Sequence, residues 1–467
     1  VLAEMPPASL RETADRILQN DYAPLLRCED VMFFRPFGQS GFPAPADDDS
    51  LPLAPPTDQG PTLREAEPVV ALLDGLPLEN HVLLRHRLLI DDPDNHGSKY
   101  QPEAQRHGTA MASLILHGDL AGSHAVLHRP VYVRPIFVPM TDSITNRQFE
   151  VTPDDQLLVD LIHRSVRRIF EGDGDERPVA PTVKIINLSF GNRYQPFDRE
   201  LSPLARLLDW LAWKYRVLFL VSAGNYPYDI EISAAPTPWN AFTPEQLRTE
   251  VLRSMRDSQI GRRPLSPAEA VNVVTVGAVH SDRSSRPTPD PRVDVLSDTT
   301  LPSPLNTVAS GFNRAVKPEV LLPGGRQLYH SPLGSAGGTV RFQLAETLRP
   351  PGQKVAWPGT APMQLDHTVF TKGTSNATAL SARYAAQIHE QLQELRDTPD
   401  GDRLDEADIA LIIKGLLVHG ASWGDAAETI KEALTTPQSD WRETQRLLPR
   451  FLGYGEVAPR RRSRPSR

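Results

Sequence analysis

The chain has 467 residues, of which 39% are hydrophobic, and a formal net charge of -8. That is enough apolar material for a large core, either as one big domain with appendages or as two to three ordinary ones. The negative balance argues against a general nucleic-acid binder, and the basic run Arg460 to Arg467 reads as a solvated tail. No apolar run approaches the ~18 residues of a membrane span, and no secretory leader is visible, although the chain starts at Val1 and a leader could have been removed. Cys28 is the only cysteine, so no intrachain disulfide forms, which fits a cytoplasmic location.

Residues 1–65 predict an N-terminal arm: a helix around Ser9 to Gln19, an apolar stretch at Val31 to Phe34, and a Pro- and Asp-rich linker from Gly41 to Pro61. Such a segment suits a masking or interface element. From Pro68 strands and helices alternate. Val69 to Leu73 is a continuous apolar run ending in Asp74-Gly75, as in a strand buried on both faces. His107-Gly108-Thr109 opens a helix through Leu116, Val131 to Val138 is a strand containing Pro135, and Leu157 to Phe170 is an amphipathic helix. Val183 to Gly191 is a strand, Leu204 to Tyr215 a helix, and Val217 to Asn225 another strand. A Pro- and charge-rich insertion occupies 226–266, followed by the β-branched strand Val271 to Val279 and by Lys317 to Gly325. A second insertion, 326–366, shows no clear periodicity; a strand at His367 to Phe370 then leads into a helix beginning near Ser375. Ile409 to Leu417 is a late helix, and Gly453-Tyr454-Gly455 a turn before the tail at 458–467. The alternation predicts an α/β fold, a doubly wound and mostly parallel sheet flanked by helices, over residues 66–457.

In such sheets ligands bind beyond the carboxyl ends of the strands. Asp74, Ser189 to Gly191 and Ser222 to Asn225 end strands, while His107 and Ser375 begin helices that can reach the same edge. An acid, an imidazole, a hydroxyl and an amide donor make up the inventory for acyl transfer. Serine is a weak nucleophile until an imidazole takes its proton, and the imidazole needs a carboxylate to fix its tautomer. Asn225 supplies an N–H for a developing oxyanion. Asp91, Asp92 and Asp94 compete with Asp74 but lie in a polar loop; His81, His86, His96 and His117 compete with His107 but lack the Gly-Thr that follows it. The acidic loops Asp47 to Asp49 and Asp91 to Asp94 could take Ca²⁺, although charge runs are usually solvated, and no metal site is expected. The Gly334 to Gly338 loop lacks the Gly-Lys-Ser/Thr ending of a phosphate-binding loop.

The motifs Val70 to Gly75, His107-Gly108-Thr109, Asn187 to Gly191, Ser222 to Asn225, Lys317 to Gly324 and Gly373 to Ala377 follow one another in the order Asp, His, Ser, and the chain resembles the subtilisin-like (subtilase) serine peptidases. The resemblance implies a serine endopeptidase with Asp74 as orienting acid, His107 as general base and acid, Ser375 as nucleophile and Asn225 as oxyanion donor; the lone cysteine adds the expectation that it is intracellular. It further implies that Ser189, Phe190 and Gly191 pair with extended substrate, with an apolar lining from Phe190 and Tyr226. Ser222, Ala223 and Gly224 would line the pocket for the residue before the cut. Two departures stand out: Gly75 follows the acid directly where the family usually has Ser or Thr, and Asn376-Ala377-Thr378-Ala379 follows the serine where the family has Met-Ala and then a proline. No familiar pro-domain or calcium loop is recognisable. Relatives can be encoded beside partner ATPases, so a regulatory protein partner is a further expectation. A catalytically silent, peptide-binding member of the fold is the alternative function. An α/β-hydrolase esterase would need its acid and histidine after the serine, where only His389 and His419 remain.

Overall fold

The structure, a computed structural model, describes residues 7–19, 41–43, 51–52, 66–141, 148–233, 238–285, 291–297, 300–332, 338–359, 363–401, 403–435 and 441–457. The basic tail, the Val31 to Phe34 stretch, Asp47 to Asp49 and most of the glycine-rich loop at 334–338 lie outside them.

Hydrophobic runs of four to six residues form the core strands: β1 (Val70–Asp74), β2 (Leu88–Ile90), β3 (Val131–Pro135), β4 (Ile185–Leu188), β5 (Leu218–Ser222), β6 (Val274–Val279) and β7 (Val320–Pro323), with the outer β2 shorter. Short β8 (Ala421–Ser422) and β9 (Glu456–Val457) complete a nine-stranded sheet in the order β8-β9-β7-β6-β5-β4-β1-β3-β2. All neighbouring pairs are parallel except β8 with β9. Alternate residues of one strand feed opposite cores, as strand geometry requires. Val70 and Leu72 pack with helices α1 (His107–His117), α4 (Thr374–Arg396) and α5 (Ile409–His419), whereas Ala71 and Leu73 pack with α2 (Leu158–Phe170) and α3 (Pro203–Tyr215). Ser202 caps α3, its hydroxyl accepting the Ala205 N–H at 3.1 Å. The chain turns from β1 outward to β2 and β3 and then back to β4 on the other side of β1. The carboxyl ends of β1 and β4 therefore flank a topological switch point.

Both insertions are more ordered than their composition suggests. Residues 226–266 contain the helix Pro244–Asp257, started by a Thr243/Gln246 capping box. Residues 326–366 contain strands Thr339–Leu344 and Gln353–Ala356, and Val340 and Phe342 join a third core around that helix. The expected linker is also partly structured. Gly41–Pro43 pairs with Gln148–Val151, and Leu51–Pro52 pairs with His367–Thr371, the strand that leads into α4. Near the C-terminus, the Tyr454 N–H bonds the Glu319 carbonyl at 2.7 Å and brings β9 against β7.

Candidate active site

Asp74 ends β1 fully buried, and its Oδ1 lies 2.6 Å from His107 Nδ1 and accepts the Gly75 N–H at 2.7 Å. The His-Gly-Thr motif explains how the helix reaches it. A Cβ on Gly108 would stand 2.0 Å from the Gly75 carbonyl oxygen, so only glycine lets α1 approach β1 this closely. Thr109 Oγ1 accepts the Leu78 N–H at 2.7 Å and donates to the Gln105 carbonyl at 2.5 Å, fixing the first turn. Burial works to lower the imidazole pKa, but the charge and hydrogen bond of Asp74, with the charge of Glu150, leave it raised above 6.5. Three of the four competing histidines are tied to main-chain carbonyls elsewhere: His81 to His367, His96 to Pro135 and His117 to Leu83.

Ser375 is the second residue of α4, which starts after Gly373 at φ 142°. That backbone conformation belongs to glycine. Asn225 lies against this turn: its Oδ1 accepts from the Thr374 N–H at 2.9 Å and from the Thr374 hydroxyl at 3.0 Å. A backbone N–H can only donate, so the amide orientation is fixed and Nδ2 is left as the donor end. Thr374 also meets Ser222 Oγ at 2.7 Å. The Ser375 hydroxyl donates to the Ser189 carbonyl at 2.6 Å, so in this conformation its single proton points at that carbonyl. Asn376 is buried and donates to Thr371 Oγ1 at 2.9 Å, binding α4 to the preceding strand without the family's proline. Arg383, farther along α4, donates to the terminal carbonyls of Ile115 and Leu116, which ties the helix carrying Ser375 to the C-terminus of the helix carrying His107.

His107, Asn225, Ser375 and Asn376 line one cavity of ≈ 230 Å³, with Met111, Phe149, Leu348, Trp357 and Phe370 as its apolar wall. The predicted substrate strands behave differently. Ser189 is buried, and the Phe190 ring sits in the core against Phe137, centroids 5.3 Å apart. The expected apolar lining from Phe190 is thus corrected: only its main chain can face a substrate. Tyr226 packs under the Arg262 guanidinium at 3.9 Å and is not part of the cavity wall. Ser189 to Gly191 and Ser222 to Gly224 also lie outside that wall. Between their ends sits Leu265: a Cβ built on Gly224 would be 2.5 Å from its Cγ, and one on Gly191 would be 2.9 Å from its Cβ. The Leu265 N–H bonds the Ala223 carbonyl at 3.1 Å, so residues of the first insertion fill this slot.

Two further residues escaped the sequence reading. Leu265 carries no local signal, and Glu150 lies in a short strand with nothing to mark it. The Glu150 Oε2 accepts the His107 N–H at 2.8 Å, and burial raises its carboxyl pKa to about 7. In the 91–94 loop, Asp94 pairs with Arg134 and Arg164, Asp91 with Arg168, and Asp92 accepts the His96 and Gly97 N–H groups. Its carboxylates are therefore already occupied by arginines and main chain. Among the described residues no helix is long and apolar enough to cross a membrane.

The subtilase family profile (peptidase S8) matches residues 65–455. A stretch of 153 residues is 29% identical to an uncharacterized protein, y4bN, of Sinorhizobium fredii (strain NBRC 101917 / NGR234), covering 31% of this chain and 32% of that protein. The match thus spans about a third of that relative's length. Solved structures similar in fold include the prenylagaramide maturation protease PagA, at 16% identity over 86% of this chain and 92% of that one with a TM-score of 0.43. A cold-adapted subtilisin-like serine proteinase is 16% identical over 82% and 92%, with a TM-score of 0.40. The profile covers every strand of the sheet except the terminal β9, both helices that carry the site and the turn that leads into β9, and the chain belongs to the subtilase family.

Proposed function

We propose that the chain is a serine endopeptidase in which Ser375 is the nucleophile, His107 the base, Asp74 the orienting acid and Asn225 the oxyanion donor. The observation that carries this reading is the 2.6 Å Asp74–His107 contact, set behind a cavity that His107, Ser375 and Asn225 share. Asp74 takes Nδ1, so proton transfer falls to Nε2. The Ser375 Oγ bonds to the peptide carbonyl carbon as its proton passes to His107, which then hands it to the leaving amine; water reverses the sequence and frees the acid. Asn225 Nδ2 meets the oxyanion at each tetrahedral stage. Before attack the hydroxyl must turn away from the Ser189 carbonyl, and a substrate N–H paired along Ser189 to Gly191 would take over that acceptor. With Leu265 filling the slot between Gly191 and Gly224, the residue before the cut is small. Residues 66–457 act as the peptidase unit in a reducing, cytoplasmic setting that suits the lone Cys28.

The resting Ser375–Ser189 contact supports a second reading, a silent peptide-binding protein awaiting a regulatory partner. A fluorophosphonate probe separates the two. The wild type is labelled and Ser375→Ala is not; a wild type that stays unlabelled, before and after limited proteolysis, removes the endopeptidase reading.

A further inference from the structure

Gly75 and Glu150 answer one another across the acid end of the site. A Cβ on Gly75 would lie 1.9 Å from Glu150 Oε1, so the carboxylate occupies the space that a side chain next to Asp74 would need. Its other oxygen accepts the N–H of His107 at 2.8 Å. That N–H belongs to the first turn of α1, whose donors the helix's own carbonyls do not reach, and Arg106 at the N-cap position supplies no side-chain cap. Glu150 therefore caps the helix from a different strand, at the residue proposed as the base. We propose, resting on the peptidase reading above, that Glu150 is a positioning residue for His107: it takes the place of the side chain missing at Gly75, holds the start of α1, and sets the charge felt by the imidazole.

Geometry gives the carboxyl group a route to both protonation states. The Tyr100 hydroxyl lies 2.9 Å from Glu150 Oε1 and 3.1 Å from the Phe137 carbonyl oxygen. It has one proton for two acceptors, so both contacts are hydrogen bonds only when Glu150 brings a proton of its own. Burial pushes the group the same way, to a pKa of about 7; the positive imidazole opposes this and the Asp74 charge adds to it. The charged and titratable groups facing Glu150 are Asp74 from β1, His107 from α1 and Tyr100 from the loop before α1, with Arg106 on the wall of the same cavity. Ionised, Glu150 favours the imidazolium; protonated, it leaves Asp74 as the acid acting on His107.

The test measures the second-order rate of fluorophosphonate labelling of the full chain from pH 5 to 9. Glu150→Gln preserves shape and a hydrogen-bonding oxygen but removes the charge. Its limiting rate at high pH is expected to stay within about threefold of wild type, while the acid limb moves down by about one pH unit. A purely structural role would lower the rate without moving the limb. Gly75→Ser alone should lose at least about tenfold in rate through overlap with the carboxylate, and Glu150→Ala in the same chain should restore part of that loss. An unmoved acid limb overturns the inference. So does a Gly75→Ser defect of equal size with and without Glu150, and that pair decides alone if Glu150→Gln does not fold. A wild type that is never labelled removes the peptidase reading itself, and this inference with it.

Discussion

On the Asp74 side of the cleft, two buried carboxylates both hydrogen-bond His107, whereas on the Ser375 side the contacts of Ser375, Thr374, Asn225 and Ser222 run between neutral hydroxyls, amides and carbonyls. The first half is held by charge, and its state changes with protons. The second is held by hydrogen bonds whose donors and acceptors are fixed by covalent structure: the Thr374 N–H must donate, and the Asn225 carbonyl oxygen must accept. A site that needs both proton transfer and an unvarying oxyanion pocket thus separates them onto two helices, bolted together by Arg383.

Changes on the two sides should differ in pH dependence as well as size. Asp74→Asn keeps the shape but leaves the wrong imidazole tautomer favoured, and about a 10⁴-fold loss in kcat is expected, measured on a cleaved peptide near neutral pH. A loss under tenfold would show that Glu150 or another group can serve as the acid. Asn225→Ala should lower kcat by about 10²–10³-fold, the usual loss when one oxyanion-hole donor is removed. Because the neutral half does not titrate, that loss is expected to be the same at every pH. A curve that changes shape would break the contrast between the halves.

Leu265→Gly opens the slot beside Gly224 and should raise kcat/KM for peptides with a large apolar residue before the cut by roughly tenfold or more, relative to a small one. Cleavage-site profiling checks it, and an unchanged preference would place that residue of the substrate elsewhere. The smallest effect is on stability. The Glu150 pKa is raised in the folded protein to about 7 from an ordinary 4.5, so the folded state binds this proton more tightly than the unfolded one. The resulting stability is present below the unfolded value and is lost as pH rises through the folded value. Glu150→Gln should therefore raise Tm at pH 8 by about 2–5 °C and by much less at pH 5. Equal gains at both pH values would remove the buried charge as the cause.

Much of the site was legible because its motifs are local. Gly108 is demanded by the contact between α1 and β1, and Gly373 by the turn before Ser375, so His-Gly-Thr and Gly-Thr-Ser record steric needs within a few residues. The central strands were legible for the same kind of reason, since runs such as Val69 to Leu73 must be buried on both faces. The second insertion hid strands that the alternation of Val340 and Phe342 already encodes, because charged and polar residues between them break a continuous apolar run. Phe190 was misplaced for the opposite reason: an aromatic at a strand end is equally consistent with groove or core, and only packing against Phe137 decides.

The sequence by itself determined the α/β order, the Asp-His-Ser series and the two departures at Gly75 and Asn376, since each is a property of neighbouring residues. Tertiary structure alone decided what those departures mean. Glu150 is 75 residues from Gly75 in the chain and Leu265 is 41 from Gly224, and no local pattern records that one carboxylate fills the space beside Asp74 or that one leucine fills a slot between two strand ends. Excluded volume is a relation between surfaces brought together by the fold.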